Sequence, residues 1–283
     1  AVTTGANDVL VGYLAGTAIT TGARNTAVGT NALDGTTTPA DNTAVGSNAL
    51  GANSTGDQNT AVGSTSLDAN TSGRNNTAIG YASLGANTTG DSNTGLGMNA
   101  LAANTTADSN TAIGNGSLFA NTTGADNTAV GNNALDANTT ASYNVAVGSA
   151  SLGANTTGQY NTGVGYNAGR VHTTGAENAF IGASAGYSST TGTSNTLIGV
   201  NAGVLQTTAN YNTAVGHGAL YTNTADNNTA VGRSALYANT TGTNNVAVGA
   251  NADCGWLSSF SSKYNRCCKH SIWSWSIRCK YNW

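Results

Sequence analysis

The 283-residue chain is short of nearly everything from which a conventional globular core or an enzyme site is built. It has one proline, charged residues make up 7 % of it and aromatic ones 6 %. No apolar run approaches the length of a membrane span, and no basic-then-apolar leader opens the chain, so no membrane insertion is expected. Up to Asp253 the only basic residues are Arg24, Arg74, Arg170 and Arg233, against all twelve acidic ones. That balance leaves no basic surface on which to hold nucleic acid. No Ser-His-Asp grouping is visible, and Gly-x-Gly fragments such as Gly95-Leu96-Gly97 have no helix after them to cradle a phosphate. The single Asp per repeat falls short of the closely spaced acids that calcium needs. The expectation is a non-enzymatic chain with no cofactor and no metal.

What the chain has is 38 glycines and a period. The string Asn-Thr-Ala-Val-Gly opens at Asp8 and then at Asn25, Asn42, Asn59, Asn76, Asn93, Asn110 and onward to Asn212, always seventeen residues apart. A unit one residue short puts the next start at Asn228, and a last one follows at Asn245. With the Asn as position 1, the consensus reads N-T-A-V-G-x-N-A-L-D/G-A-N-T-T-G-x-x. About fourteen such units occupy residues 1–252. Gly, Asn and Thr at this density exclude an amphipathic helix. Short β-branched segments between turn residues predict an all-β chain, a parallel β-solenoid (β-roll or β-helix) with about one rung per repeat. A unit this small cannot bury enough surface alone, so stability comes from stacking and from contacts with further copies. At one rung per ~4.8 Å, fourteen units make a rod about 67 Å long.

Strand alternation predicts the inner columns. The aliphatic residues of position 4 (Val28, Val45, Val62, Ile79, Ile113, Val130) are expected in the core, with Thr of position 2 half-buried on the same face. The leucines of position 9 (Leu33, Leu50, Leu67, Leu84, Leu135, Leu152) form the second apolar column. Leucine is missing where Gly169, Gly186 and Gly203 stand. Val171 and Leu205, two residues after the first and third of these, are expected to supply the bulk from the same strand face. The asparagines of position 1 (Asn25, Asn42, Asn59, Asn76, Asn93, Asn110) are expected to stack as a hydrogen-bonded ladder. Position 10 alternates along Asp34, Gly51, Asp68 and Gly85, which keeps carboxylates off adjacent rungs. His172 and His217 read as isolated loop substitutions.

Asn-x-Ser/Thr triplets recur at position 12, as at Asn53, Asn70 and Asn87, and are glycan acceptors in a eukaryotic secretory path. Stacked hydrogen-bonding turns are the preferred reading of the series. Asn at 12 and Thr at 14 would share a face as a regular polar stripe, which raises ice binding as an alternative function.

From Cys254 the composition changes, and every Cys, Trp and Lys lies in this stretch. The period nonetheless persists: Lys263-Tyr264-Asn265 returns seventeen residues later as Lys280-Tyr281-Asn282. One permitted set of codons for residues 278–283, read from the second base, yields Asp-Ala-Asn-Thr-Thr-Gly. Residues 253–283 are therefore read as a frameshifted continuation of the repeat, and the grouping of Cys267, Cys268, Cys279 and His270 as accidental.

The strings N-T-A-V-G-x-N-A and N-V-A-V-G (Asn144–Gly148) resemble the head repeats of trimeric autotransporter adhesins, and similar units are found in phage tail-fibre and other surface-fibre proteins. The resemblance spans Asp8 to about Ala252. It implies a left-handed parallel β-roll, trimeric assembly and a structural or adhesive role at a cell surface, in extracellular matrix or on a virion. Partners are then further copies, as a trimer or an end-to-end filament, with host-surface or matrix ligands beyond them. The chain departs from that pattern in its longer unit and in showing no neck, stalk or membrane anchor.

Overall fold

A computed structural model describes residues 7–35 and 38–253; the frameshift reading of residues 254–283 lies outside them. The described chain is a parallel β-solenoid. Fifteen three-residue strands, β1 (Val9–Val11), β2 (Thr26–Val28) and so on to β15 (Val246–Val248), form one sheet in strict chain order. Each occupies positions 2 to 4 of its repeat and pairs in parallel with the same positions of the next, Thr26 on Thr43 and Val28 on Val45. The short unit is absorbed between β13 (Thr213–Val215) and β14 (Thr229–Val231), where Thr213 still pairs with Thr229.

The other residues of each rung form no strand, yet their amides bond from rung to rung. Leu50 N donates to Ser66 O at 3.0 Å, Ala52 N to Asp68 O at 2.9 Å and Asn48 N to Thr30 O at 2.9 Å. Left-handed backbone explains why no strand develops there. Positions 7, 9 and 17 all take positive φ, as at Asn48 (56°), Leu50 (51°) and Gln58 (60°). Asn accepts this conformation readily, but Leu at position 9 is held in it against its preference. Position 5 needs glycine for a different reason. A Cβ on Gly97 would lie 2.6 Å from the carbonyl oxygen of Gly114, so any side chain there would push successive rungs apart.

The core corrects the expected strand face. The central residue of each strand points inward: Ala27, Ala44, Ala61, Ala78, Ala112 and Ala129 are fully buried. Its neighbours point out, so the predicted core residues Val28, Val45, Val62 and Val130 are only half-buried, and Ile79 and Ile113 are exposed. The reason is width. Leu33, Leu50, Leu67, Leu84, Leu135 and Leu152 are fully buried and reach across the narrow rung, leaving room opposite for an Ala methyl but not for a Val.

The same geometry corrects the expected relief at the missing leucines. Val171 is half-buried and Leu205 is 46 % exposed, because position 9 is a turn and the alternation of a strand does not run through it. The bulk comes from position 3 instead. Phe180 fills the space over Gly186, Leu197 that over Gly203, and Leu10 that over Gly16. Phe180 also serves the rung below, in which positions 3 and 9 are both glycine (Gly163 and Gly169): a Cβ on Gly169 would meet its Cδ2 at 2.5 Å.

Candidate functional site: internal ladders and an outer sheet face

Two polar columns run inside the rod. At position 1, Asn25, Asn42, Asn59, Asn76, Asn93 and Asn110 are fully buried. Each carboxamide oxygen accepts the backbone N–H of the next rung's Asn: Asn42 N to Asn25 Oδ1 at 3.1 Å, Asn59 to Asn42 at 2.9 Å, Asn76 to Asn59 at 3.0 Å. The same contact joins Asn93 to Asn76 at 2.9 Å and Asn110 to Asn93 at 3.0 Å. Each Nδ2 donates to the carbonyl of position 15 in its own rung, as Asn59 does to Gly73 at 2.8 Å. The ladder thus ties side chain to backbone, which makes Asn hard to replace. At the short unit the position-15 carbonyl is displaced, and Asn212 Nδ2 is buried without an acceptor.

The second ladder, at position 12, was expected as stacked hydrogen-bonding turns but not as a buried column. Asn70 Nδ2 donates to Asn53 Oδ1 at 2.9 Å and to Gly73 O at 3.0 Å, and the pattern climbs through Asn87, Asn104, Asn121 and Asn138 to Asn155. Its signal was the triplet series itself, read as turns or glycan acceptors because one sequence does not say which way a turn residue points. These asparagines are fully buried, so in the folded rod they offer no surface for a glycan. They also dissolve the expected polar stripe. Asn at 12 points in, Thr at 14 points out, as at Thr55 and Thr89, and the Thr hydroxyl at 13 is spent on the next rung's carbonyl, as from Thr71 to Thr88 O at 3.0 Å.

His172 is no loop substitution: it stands in the position-12 ladder and is fully buried. Burial pushes its pKa down, against weaker opposing hydrogen bonds at Gly175 and Ser189. His217, at position 6, is exposed.

The charges sit on the turns. Arg24 and Asp41 pair across one rung at 2.6 Å, a hydrogen bond that lowers the Asp41 pKa and raises that of Arg24. The position-10 alternation separates carboxylates by two rungs, yet Asp34 and Asp68 both lean over Gly51, their Oδ1 atoms 3.6 and 2.7 Å from where a Cβ would be. Burial first and Asp34 second raise the Asp68 pKa. Over Gly153, Asp136 faces Arg170 instead; burial raises the Asp136 pKa and Arg170 opposes it. Among the described residues no three His, Cys, Asp or Glu side chains come together as a metal site, and no helix is long and apolar enough to cross a membrane.

The outer face of the sheet is of another kind. None of the fifteen strands carries a charged residue. Positions 2 and 4 present one column of Thr, with occasional Val or Ala, beside one of Val, Ile and Leu along the whole rod. Thr gives way to Val at Val9, Val145 and Val246, and the rings of Tyr143 and Tyr160, two residues before their strands, stack 5.1 Å apart. No protein-family model and no curated protein matches the chain.

Proposed function

We propose that this β-solenoid is a structural or adhesive fibre subunit of a cell surface, an extracellular matrix or a virion, with copies of itself as partner and no enzymatic role. The observation that carries the reading is the charge-free outer face. Fifteen rungs at ~4.8 Å, each three residues wide, give a strip about 70 Å by about 10 Å, on the order of 700 Å². That is close to the roughly 800 Å² per partner of a standard stable interface, and no charge along it opposes burial against another copy. Lateral packing of copies, as in a trimer, covers the strip; end-to-end stacking extends the rod into a filament. Surface display gives host-surface or matrix ligands as further partners.

Sedimentation and negative-stain images of the wild type should show elongated oligomers. Val130→Asp, at a half-buried outward position, should dissociate them while the circular dichroism of the rod stays unchanged. A wild type that sediments as a monomer at tens of micromolar ends the self-assembly reading. The alternative is ice binding, now moved to a different face: flat, regular columns of Thr hydroxyls and Val methyls on the sheet support it. Short monomers with thermal hysteresis, abolished by Val130→Asp, would favour it.

A further inference from the structure

The position-12 ladder changes character at one place. From Asn53 to Asn155 each rung supplies a carboxamide, whose Nδ2 carries two hydrogens. From Asn70 upward one goes to the carbonyl of its own position 15 and the other to the Oδ1 of the rung below. His172 replaces the carboxamide in the next rung, with Ser189 and Gln206 in the two above it. The imidazole Nε2 lies 2.9 Å from Gly175 O, and because a carbonyl only accepts, Nε2 carries the proton. That one hydrogen is spent on the rung's own turn. Asn155 Oδ1 below is accordingly buried without a donor. The other nitrogen, Nδ1, is the acceptor for Ser189 Oγ at 3.4 Å, and the ring meets Phe180 edge-on with centroids 5.3 Å apart.

Among the described residues no ionisable side chain touches this ring. The rung below presents Asn155, the rung above Ser189, and the strand side Asn178 and Phe180. Of the charged residues near it in sequence, Arg170 leans over Gly153 toward Asp136, and exposed Glu177 accepts a hydrogen bond from Ser194 at 2.9 Å. Neither serves as a counterion.

We propose that His172 makes the rungs from Asn161 to Tyr211 a proton-triggered weak point in the rod. One proton added at Nδ1 turns that nitrogen from acceptor to donor, forces the Ser189 hydroxyl to turn round, and creates a charge with no counterion in a fully buried column. The rungs around it open, while the all-Asn ladder below stays closed. The sign follows from a neutral folded form: stability is complete above the ordinary imidazole pKa of about 6.5 and falls with pH below it, because the open state takes up a proton that the closed state refuses. The inference concerns the rod itself and holds whatever surface it belongs to.

Amide hydrogen exchange on the full chain, corrected for intrinsic rates, tests it between pH 7.5 and 5. Exchange in residues 161–211 should speed up by as much as about tenfold per pH unit below about 6.5, with little change in residues 59–143. His172→Asn, which restores the two-hydrogen donor, should remove that dependence. An NMR titration of the wild type needs no variant: His172 should titrate well below the ordinary imidazole value of about 6.5. A His172 that titrates with an ordinary pKa in the folded rod, or an unchanged pH profile in both His172→Asn and His172→Gln, would overturn the proposal.

Discussion

The rungs from Asn42 to Tyr160 and those from Asn161 to Tyr211 share one backbone path and fill it differently. In the first group a leucine in left-handed conformation reaches across from position 9, position 3 is Ala or Gly, and position 12 is Asn. In the second group position 9 is Gly, bulk enters from position 3 as Phe180 or Leu197, and position 12 is His172, Ser189 or Gln206. The first rung, with Leu10 over Gly16 and Ile19 at position 12, follows the second scheme. What the solenoid conserves is therefore the filled volume of its cross-section, whichever wall supplies it. The polar ladder is the less forgiving column, because its partners are backbone carbonyls fixed by the turn.

The comparison can be broken or sharpened by substitution. The largest effect is expected at Phe180→Ala, which empties space shared by two rungs and should cost about 3–5 kcal/mol in chemical denaturation. Little cost there would mean that the second scheme collapses onto smaller side chains. Next comes the transplant of one scheme into the other. Leu50→Gly alone should cost roughly 2–4 kcal/mol, and adding Ala44→Leu in the same rung should restore much of it, a favourable coupling of about 1–3 kcal/mol in a double-mutant cycle. Additive losses would show that position 3 cannot substitute for position 9 outside its native neighbourhood. The acid response of His172 comes third, being confined to one segment and to pH below about 6.5. The smallest effect, and a stabilising one, is expected at Thr65→Gly. This β-branched residue has φ 55° where its neighbours in the column are often Asn, and release of that strain should raise stability by up to about 1 kcal/mol in a thermal melt.

Much of this was legible without coordinates. The period, the all-β class, the stacking of one rung per repeat, the burial of the leucine column and the bonding of the position-1 asparagines all follow from Gly, Asn and Thr recurring at seventeen-residue intervals. The exchange of bulk was legible too and was misread: Leu10, Phe180 and Leu197 each share a rung with a glycine at position 9, a size covariation visible in the sequence. Val171 and Leu205 do not supply that bulk, because period-two alternation does not run through a segment whose backbone is left-handed. The stacking of the second Asn ladder was legible as hydrogen-bonded turns, but its burial was not, since its residues carry the composition of exposed turns.

The sequence by itself determined the repeat and hence the solenoid, because a period so strict allows only one kind of stacking for the backbone amides. Which side of each three-residue strand is inside was decided only by tertiary structure. Hydrophobicity ranks Val above Ala for burial, but a rung closed by a leucine from its far wall leaves depth for one methyl. The valines were thereby turned outward, onto the face from which the function of this chain is read.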